Sequence, residues 1–201
     1  MRRDTPGQPR MNSIFGITTR DGGTPVHDEK KHVEFLMLES AQAGLSWSTL
    51  LMKRENDWKA YDPFDPVKGL KYNERKIGEL LSDPRIVRNR RKIEVSINHA
   101  KCFLAVQKKF GRFDRHIWGF VNHGPVNNRL RTISHTPART PLSDQSNKDF
   151  IQRGFRFVGS TLIYAHLQAT GMVNDHLITC FRYEEPYSPC LQALGSTKEE
   201  D

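Results

Sequence analysis

Helix-start and helix-stop residues recur at short intervals along this chain, and that punctuation restricts it to a fold of short helices. Asp28, followed by Glu29, opens the first segment with helical spacing: Val33, Leu36 and Met37 fall at i, i+3 and i+4, and Gly44 supplies the stop. Ser46 or Ser48 caps the next, which runs through Leu50, Leu51 and Trp58 to Tyr61 and breaks at Asp62-Pro63. Asp65-Pro66 opens a short helix reaching Leu70, and Asn73 caps another through Ile77, Leu80 and Leu81 that ends at Asp83-Pro84. Ile93, Ile97, Ala100 and Leu104 mark a longer helix between Arg88 and Phe110, terminated by Gly111. Phe113 to Val121 reads as a further short helix, residues 144–153 as one stopped by Gly154, and Thr161 to Thr170 as one stopped by Gly171. The stretch from Asn122 to Thr140 is loop-like, and neither strand alternation nor an internal repeat is present. The expected fold class is therefore all-α, a compact bundle of short helices.

At 201 residues the chain fits one domain and can bury a sizeable core. Lys and Arg outnumber Asp and Glu by 31 to 23, for a formal charge of +8. Such an excess suits a polyanion, because neutralised phosphates release counterions, and it equally suits an ordinary basic enzyme. Cys102, Cys180 and Cys190 form an odd set without a framework, as expected in a reducing compartment. No apolar run approaches the ~20 residues that span a bilayer, and the start of the chain lacks a signal-peptide core. We expect a soluble intracellular protein with no membrane partner. Residues 1–26, rich in Arg, Gly, Pro and Thr, read as a loose arm, and the tail beyond Tyr183 as disordered.

Three stretches carry chemistry. Gly154-Phe155-Arg156-Phe157-Val158-Gly159 joins two helices; its glycines allow a close approach, and the N–H groups of the following helix can face an anion. That is how a helical hairpin grips a DNA phosphate, and it is also how two helices turn with Phe155 and Phe157 in the core. Glu39 and Trp47 flank a turn containing Gly44, with apolar Leu45 at its tip. Across a pocket, a carboxylate and an indole suit a flat cationic ligand; otherwise Trp47 is core and Glu39 a surface residue. His176 and Cys180 share a helical face at i and i+4, half of a structural zinc site.

Taken together, these stretches resemble the DNA-3-methyladenine glycosylase I family of the helix-hairpin-helix glycosylases. The matching text includes Leu38-Glu39-Ser40-Ala41-Gln42-Ala43-Gly44-Leu45-Ser46-Trp47, Lys53-Arg54-Glu55-Asn56 and Phe64-Asp65-Pro66-Val67. It continues with Ile86 to Ile93, Trp118 to His123, Arg153 to Gly159 and Gly171-Met172-Val173-Asn174-Asp175-His176, and covers residues 23–183 almost without a gap. The resemblance implies a glycosylase domain over residues 23–184 that excises 3-methyladenine from alkylated double-stranded DNA. It implies Glu39 as the catalytic and base-recognising carboxylate, Trp47 as the stacking ring and Leu45 as the wedge in the duplex. Gly154, Phe155 and Gly159 would form the phosphate-holding hairpin. The expected protein is monofunctional, a monomer without an organic cofactor, and cytoplasmic with the chromosome in a bacterium.

One segment departs from that pattern. The family carries a Cys and a Tyr-His-Asp-x-x-Trp-Gly segment upstream, where this chain has Ile17-Thr18-Thr19-Arg20-Asp21-Gly22-Gly23. Two of four zinc ligands and a pocket wall are thereby missing, so zinc would be held weakly by His176 and Cys180 alone. Codons for Gly16 to Thr19 read out of frame can spell Tyr-His-Asp, and those for Asp21 to Gly23 can spell Trp-Gly, with the frame recovering at Thr24. We therefore read residues 1–22 as a frameshifted stretch, arising from a one-base error in a run of G. The competing expectation is a non-catalytic damage-sensing module of the same fold.

Overall fold

The computed structural model describes residues 23–42, 44–132, 136–180 and 183–184, with the side chains of Gln42 and Trp47 excepted. The expected arm, its reading frame and the expected tail over 185–201 lie outside the described residues. Those described form α1 (Glu29–Gln42), α2 (Trp47–Ala60), a 3-10 turn (Asp62–Phe64), α3 (Pro66–Gly69), α4 (Glu74–Ser82) and α5 (Arg90–Phe110). There follow α6 (Phe113–Trp118), a 3-10 turn (Gly119–Val121), β1 (Val126–Asn127), α7 (Pro141–Gln152), α8 (Ser160–Ala169) and β2 (Val173–Asn174). The molecule is helical, as its periodicity requires.

The caps explain the boundaries. Asp28 Oδ1 accepts from the Lys30 and Lys31 N–H groups at 2.7 and 3.2 Å, so α1 starts where its acid was expected to start it. Ser46, not Ser48, caps α2 through the Thr49 N–H. Asp65, Asn73 and Asn89 cap α3, α4 and α5 in the same way. Helix α7 begins earlier than the expected residue 144, because Thr140 and Ser143 form a reciprocal capping box and Pro141 needs no N–H donor at the first helical position. Inside the expected loop, β1 pairs in parallel with β2, Val126 against Val173 and Asn127 against Asn174. Two residues per strand are too few for alternation to register in a sequence.

Helix α5 runs through the middle, touching α1, α3, α4 and α6. Its Phe103 stacks on Phe113 of α6 at 4.4 Å, and Phe113 meets Phe150 of α7 edge-on at 6.0 Å. Each such buried ring contributes roughly 2–3 kcal/mol, so this aromatic seam fixes α7 and α8 against the centre. The first described residues are tied to the last helix. The Val26 N–H donates to the Thr170 carbonyl at 3.0 Å, and the indole N–H of buried Trp118 donates to the Val26 carbonyl at 2.8 Å. Gly171, at φ +68°, lies so close to Thr24 that a Cβ there would sit 2.4 Å from its carbonyl carbon.

Candidate active site

Glu39 falls three residues after Leu36 on the inward stripe of α1, and it is only 3% exposed. Its Oε2 meets Nδ1 of His166 at 3.0 Å, and its Oε1 has no hydrogen-bond partner. His166 projects from α8 and is fully buried. Burial pushes the Glu39 carboxyl above its usual range, and the charge and hydrogen bond of His166 pull it back down. A second imidazole, His32, lies two turns before Glu39 on α1, its ring 5.9 Å from that of His166. His32 Nε2 contacts Asp114 Oδ1 at 3.3 Å, and exposed His27 reaches the same oxygen at 3.0 Å. Burial lowers the His32 pKa; burial would raise Asp114, but the hydrogen bonds to His32 and His27 outweigh it and hold that carboxyl low. Two acid–imidazole contacts, Glu39 with His166 and Asp114 with His32 and His27, thus lie side by side between Glu39 and the surface, with the rings of His166 and His32 facing each other.

His99 connects this carboxylate segment to the hairpin. Its Nδ1 lies 3.3 Å from Ser40 Oγ, next to Glu39, and its Nε2–H donates to the Arg156 carbonyl at 2.7 Å. Burial pushes its pKa down to about 4, so the ring is neutral at physiological pH. One residue earlier, Asn98 donates to the Gly154 carbonyl at 3.1 Å and accepts from the Arg156 N–H at 2.9 Å. Helix α5 therefore holds the Gly154–Gly159 turn by two consecutive side chains.

Within that turn Gly154 takes φ +89° and Phe155 packs into the core against Phe150 at 4.7 Å. Phe157, expected as a possible core residue, is instead 41% exposed, held at φ +56° with the Arg91 guanidinium 4.3 Å above its ring. Gly159 caps α8 without a side-chain hydrogen bond, and a Cβ there would meet nothing within 4 Å. The helix start is thus open to an approaching anion. At the other turn, Gly44 takes φ +78°, Leu45 is half-buried, and Trp47 opens α2 with its side chain outside the described residues. Lys92 of α5 donates to the Ala41 carbonyl at 2.7 Å and so holds the end of α1. Behind it, a crevice of about 20 Å³, room for roughly one water, is lined by Met37, Leu38, Ala41, Asp57, Tyr61 and Lys92, among others.

The expected metal pair is corrected in its geometry. His176 and Cys180 are not on a helix: Leu177 bridges to Leu130, and the Cys180 N–H closes a turn on the Leu177 carbonyl at 2.7 Å. His176 Nδ1 is engaged by Asn174 Oδ1 at 3.0 Å. Among the described residues no group of three or more His, Cys, Asp or Glu could hold a metal ion. These residues do not fit a complete zinc site. The buried imidazoles His32, His99 and His166, which contact Asp114, Ser40 and Glu39, were not singled out from the sequence. Their signal was three histidines at apolar-face positions of three different helices.

Residues 20–183 match the family described as methyladenine glycosylase. The chain belongs to that family. It is 42% identical over 161 residues to DNA-3-methyladenine glycosylase 1 of Escherichia coli, covering 80% of this chain and 86% of that protein. It is 38% identical to DNA-3-methyladenine glycosylase of Haemophilus influenzae, with 80% and 87% covered. The 3-methyladenine DNA glycosylase I of Staphylococcus aureus, in a structure addressing its recognition of 3-methyladenine, superposes with a TM-score of 0.82. That match has 31% identity and covers 88% of this chain and 92% of the other. The mostly helical architecture agrees with the fold class expected from the sequence, and the Glu39 segment lies within the matched residues. No helix among the described residues is long and apolar enough to cross a membrane.

Proposed function

We propose that the protein is a DNA glycosylase that hydrolyses the N-glycosidic bond of 3-methyladenine in alkylated duplex DNA. The observation that carries this reading is Glu39: a carboxylate 3% exposed, hydrogen-bonded to a buried imidazole, within the segment shared with the family. Methylation at N3 gives the base a positive charge, so it leaves readily and needs little protonation. What the enzyme supplies is extrusion, selection and charge. Extruding a nucleotide costs a few kcal/mol, and less where the pair is damaged. Leu45 would fill the vacated gap and the Trp47 indole would stack on the base, adding roughly 0.5–2 kcal/mol of cation–π attraction. Glu39 attracts the cationic base and offsets the charge that develops on the sugar as the C1′–N9 bond breaks. Water then adds its oxygen to C1′ and loses a proton, and neutral 3-methyladenine departs.

The open start of α8, with Gly159 and the neighbouring Arg91–Phe157 stack, suits a backbone phosphate without reading sequence. The net charge of +8 supports the same partner. No lysine acts as a nucleophile in this scheme, so the strand is left intact, and the protein works as a cytoplasmic monomer. The test is release of free 3-methyladenine from methylated duplex DNA, with Glu39→Gln alongside. Release that the substitution reduces at least a hundredfold supports the enzyme. Salt-sensitive DNA binding without release, unchanged by the substitution, would make it a damage-sensing module instead.

A further inference from the structure

Resting on that reading, we propose that His166 is a positioning residue whose imidazole keeps the Glu39 carboxylate ionised inside the protein. A carboxyl group this deeply buried is neutral unless something holds its charge, and a neutral Glu39 would give a cationic base no electrostatic reason to enter. The contact geometry favours the charged form: Nδ1 of His166 lies 3.0 Å from Oε2, and an N–H donating to a carboxylate makes a stronger hydrogen bond than one shared with a neutral carboxyl.

On α1 the facing group is His32, whose Nε2 contacts Asp114 Oδ1 at 3.3 Å and whose ring lies 5.9 Å from that of His166 with no hydrogen bond between the two.

The groups around the pair leave it undisturbed by other charges. From α5 the facing group is His99, which is neutral; from α6 it is Asp114, taken up by His32 and His27. On α1, Glu29 is occupied by the Phe113 and Asp114 N–H groups and Glu34 by Arg54 of α2, while Lys92 is bound to the Ala41 carbonyl.

The experiment compares three substitutions by the pH profile of base release from methylated duplex DNA. His166→Asn keeps an N–H near the Nδ1 position, so it should stay within about threefold of wild type with an unmoved acid limb. His166→Phe removes the donor. Its release should fall at least tenfold at pH 7 and recover towards wild type by pH 9, the acid limb having moved up by one unit or more. His166→Gln preserves polarity and volume but carries its N–H out at the Nε2 position; it should behave as Phe does, and it replaces Phe if that variant does not fold. Equal losses for all three with parallel profiles would overturn the proposal and leave His166 a packing residue. Titration of the Glu39 carboxyl carbon by NMR in free protein reads the same shift without turnover. A wild type that releases no base but shows that shift fails the glycosylase reading alone, while an unshifted titration fails this one.

Discussion

Asp57→Asn should stabilise the protein, and only above acid pH. Asp57 of α2 is 5% exposed, one carboxylate oxygen has no partner, and burial raises its pKa from 3.8 to about 7 against the pull of the Val87 N–H. Below pH 4 the group is protonated both folded and unfolded, and it contributes nothing to the pH dependence. Between pH 4 and 7 the unfolded chain gives up its proton while the native one keeps it, so stability falls as pH rises. The shift of about three units corresponds to roughly 4 kcal/mol, and solvation by a water in the adjoining crevice reduces it to about 2–4 kcal/mol. Asparagine can still accept from Val87 and never charges. For a chain of this size, the variant should therefore melt about 5–12 °C above wild type at pH 8, with the gap closing by pH 4. Thermal melts of both proteins across that range check it, since Glu39 and the other titrating groups are common to both. A gap independent of pH, or a variant less stable at pH 8, would refute the burial argument.

Gly171→Ala should cost at least about 3 kcal/mol in urea unfolding, since it adds left-handed strain to a 2.4 Å clash with Thr24. Gly44→Ala, at φ +78° in open space, should cost only about 1–2 kcal/mol, and equal losses would contradict the packing described. Dialysed protein should hold clearly less than one zinc per chain, because the described residues offer no third ligand; one tightly held zinc by elemental analysis would contradict this. Resequencing the gene should find Tyr-His-Asp and Trp-Gly in the neighbouring frame over residues 16–23, and codons unable to spell them end the frameshift reading.

Much of the helical order was legible because caps and stops are local. Asp28, Asn73 and Gly111 act on their own neighbours, so their effect shows in a few letters of text. The start of α7 was misplaced because its signal, the Thr140–Ser143 box, uses serine where a glutamate or glutamine is the usual mark. Glu39 could be singled out from its segment, but the state of its carboxyl could not. That state depends on His166, which a short-range pattern cannot reach across 127 positions of chain. The same holds for His99 and the Arg156 carbonyl, a contact made only once α5 and the hairpin turn have packed. The helical spacing of His176 and Cys180 misled because a bridge to Leu130 overrides local periodicity there.

The clasp that joins Val26 to Trp118 and Thr170 has a bearing on synthesis. A nascent chain exposes α1 early, yet of the residues that fasten its entry Trp118 ends α6 and Thr170 follows α8, and His166, which answers its buried acid, lies on α8. Until those emerge, Glu39 lacks the imidazole that balances it, and the interior that closes over α1 is incomplete. Translation that stops short of α8 thus yields a chain with an exposed apolar stripe, which cellular quality control can recognise and remove. Only a product that has passed His166 and Thr170 can close over its own carboxylate.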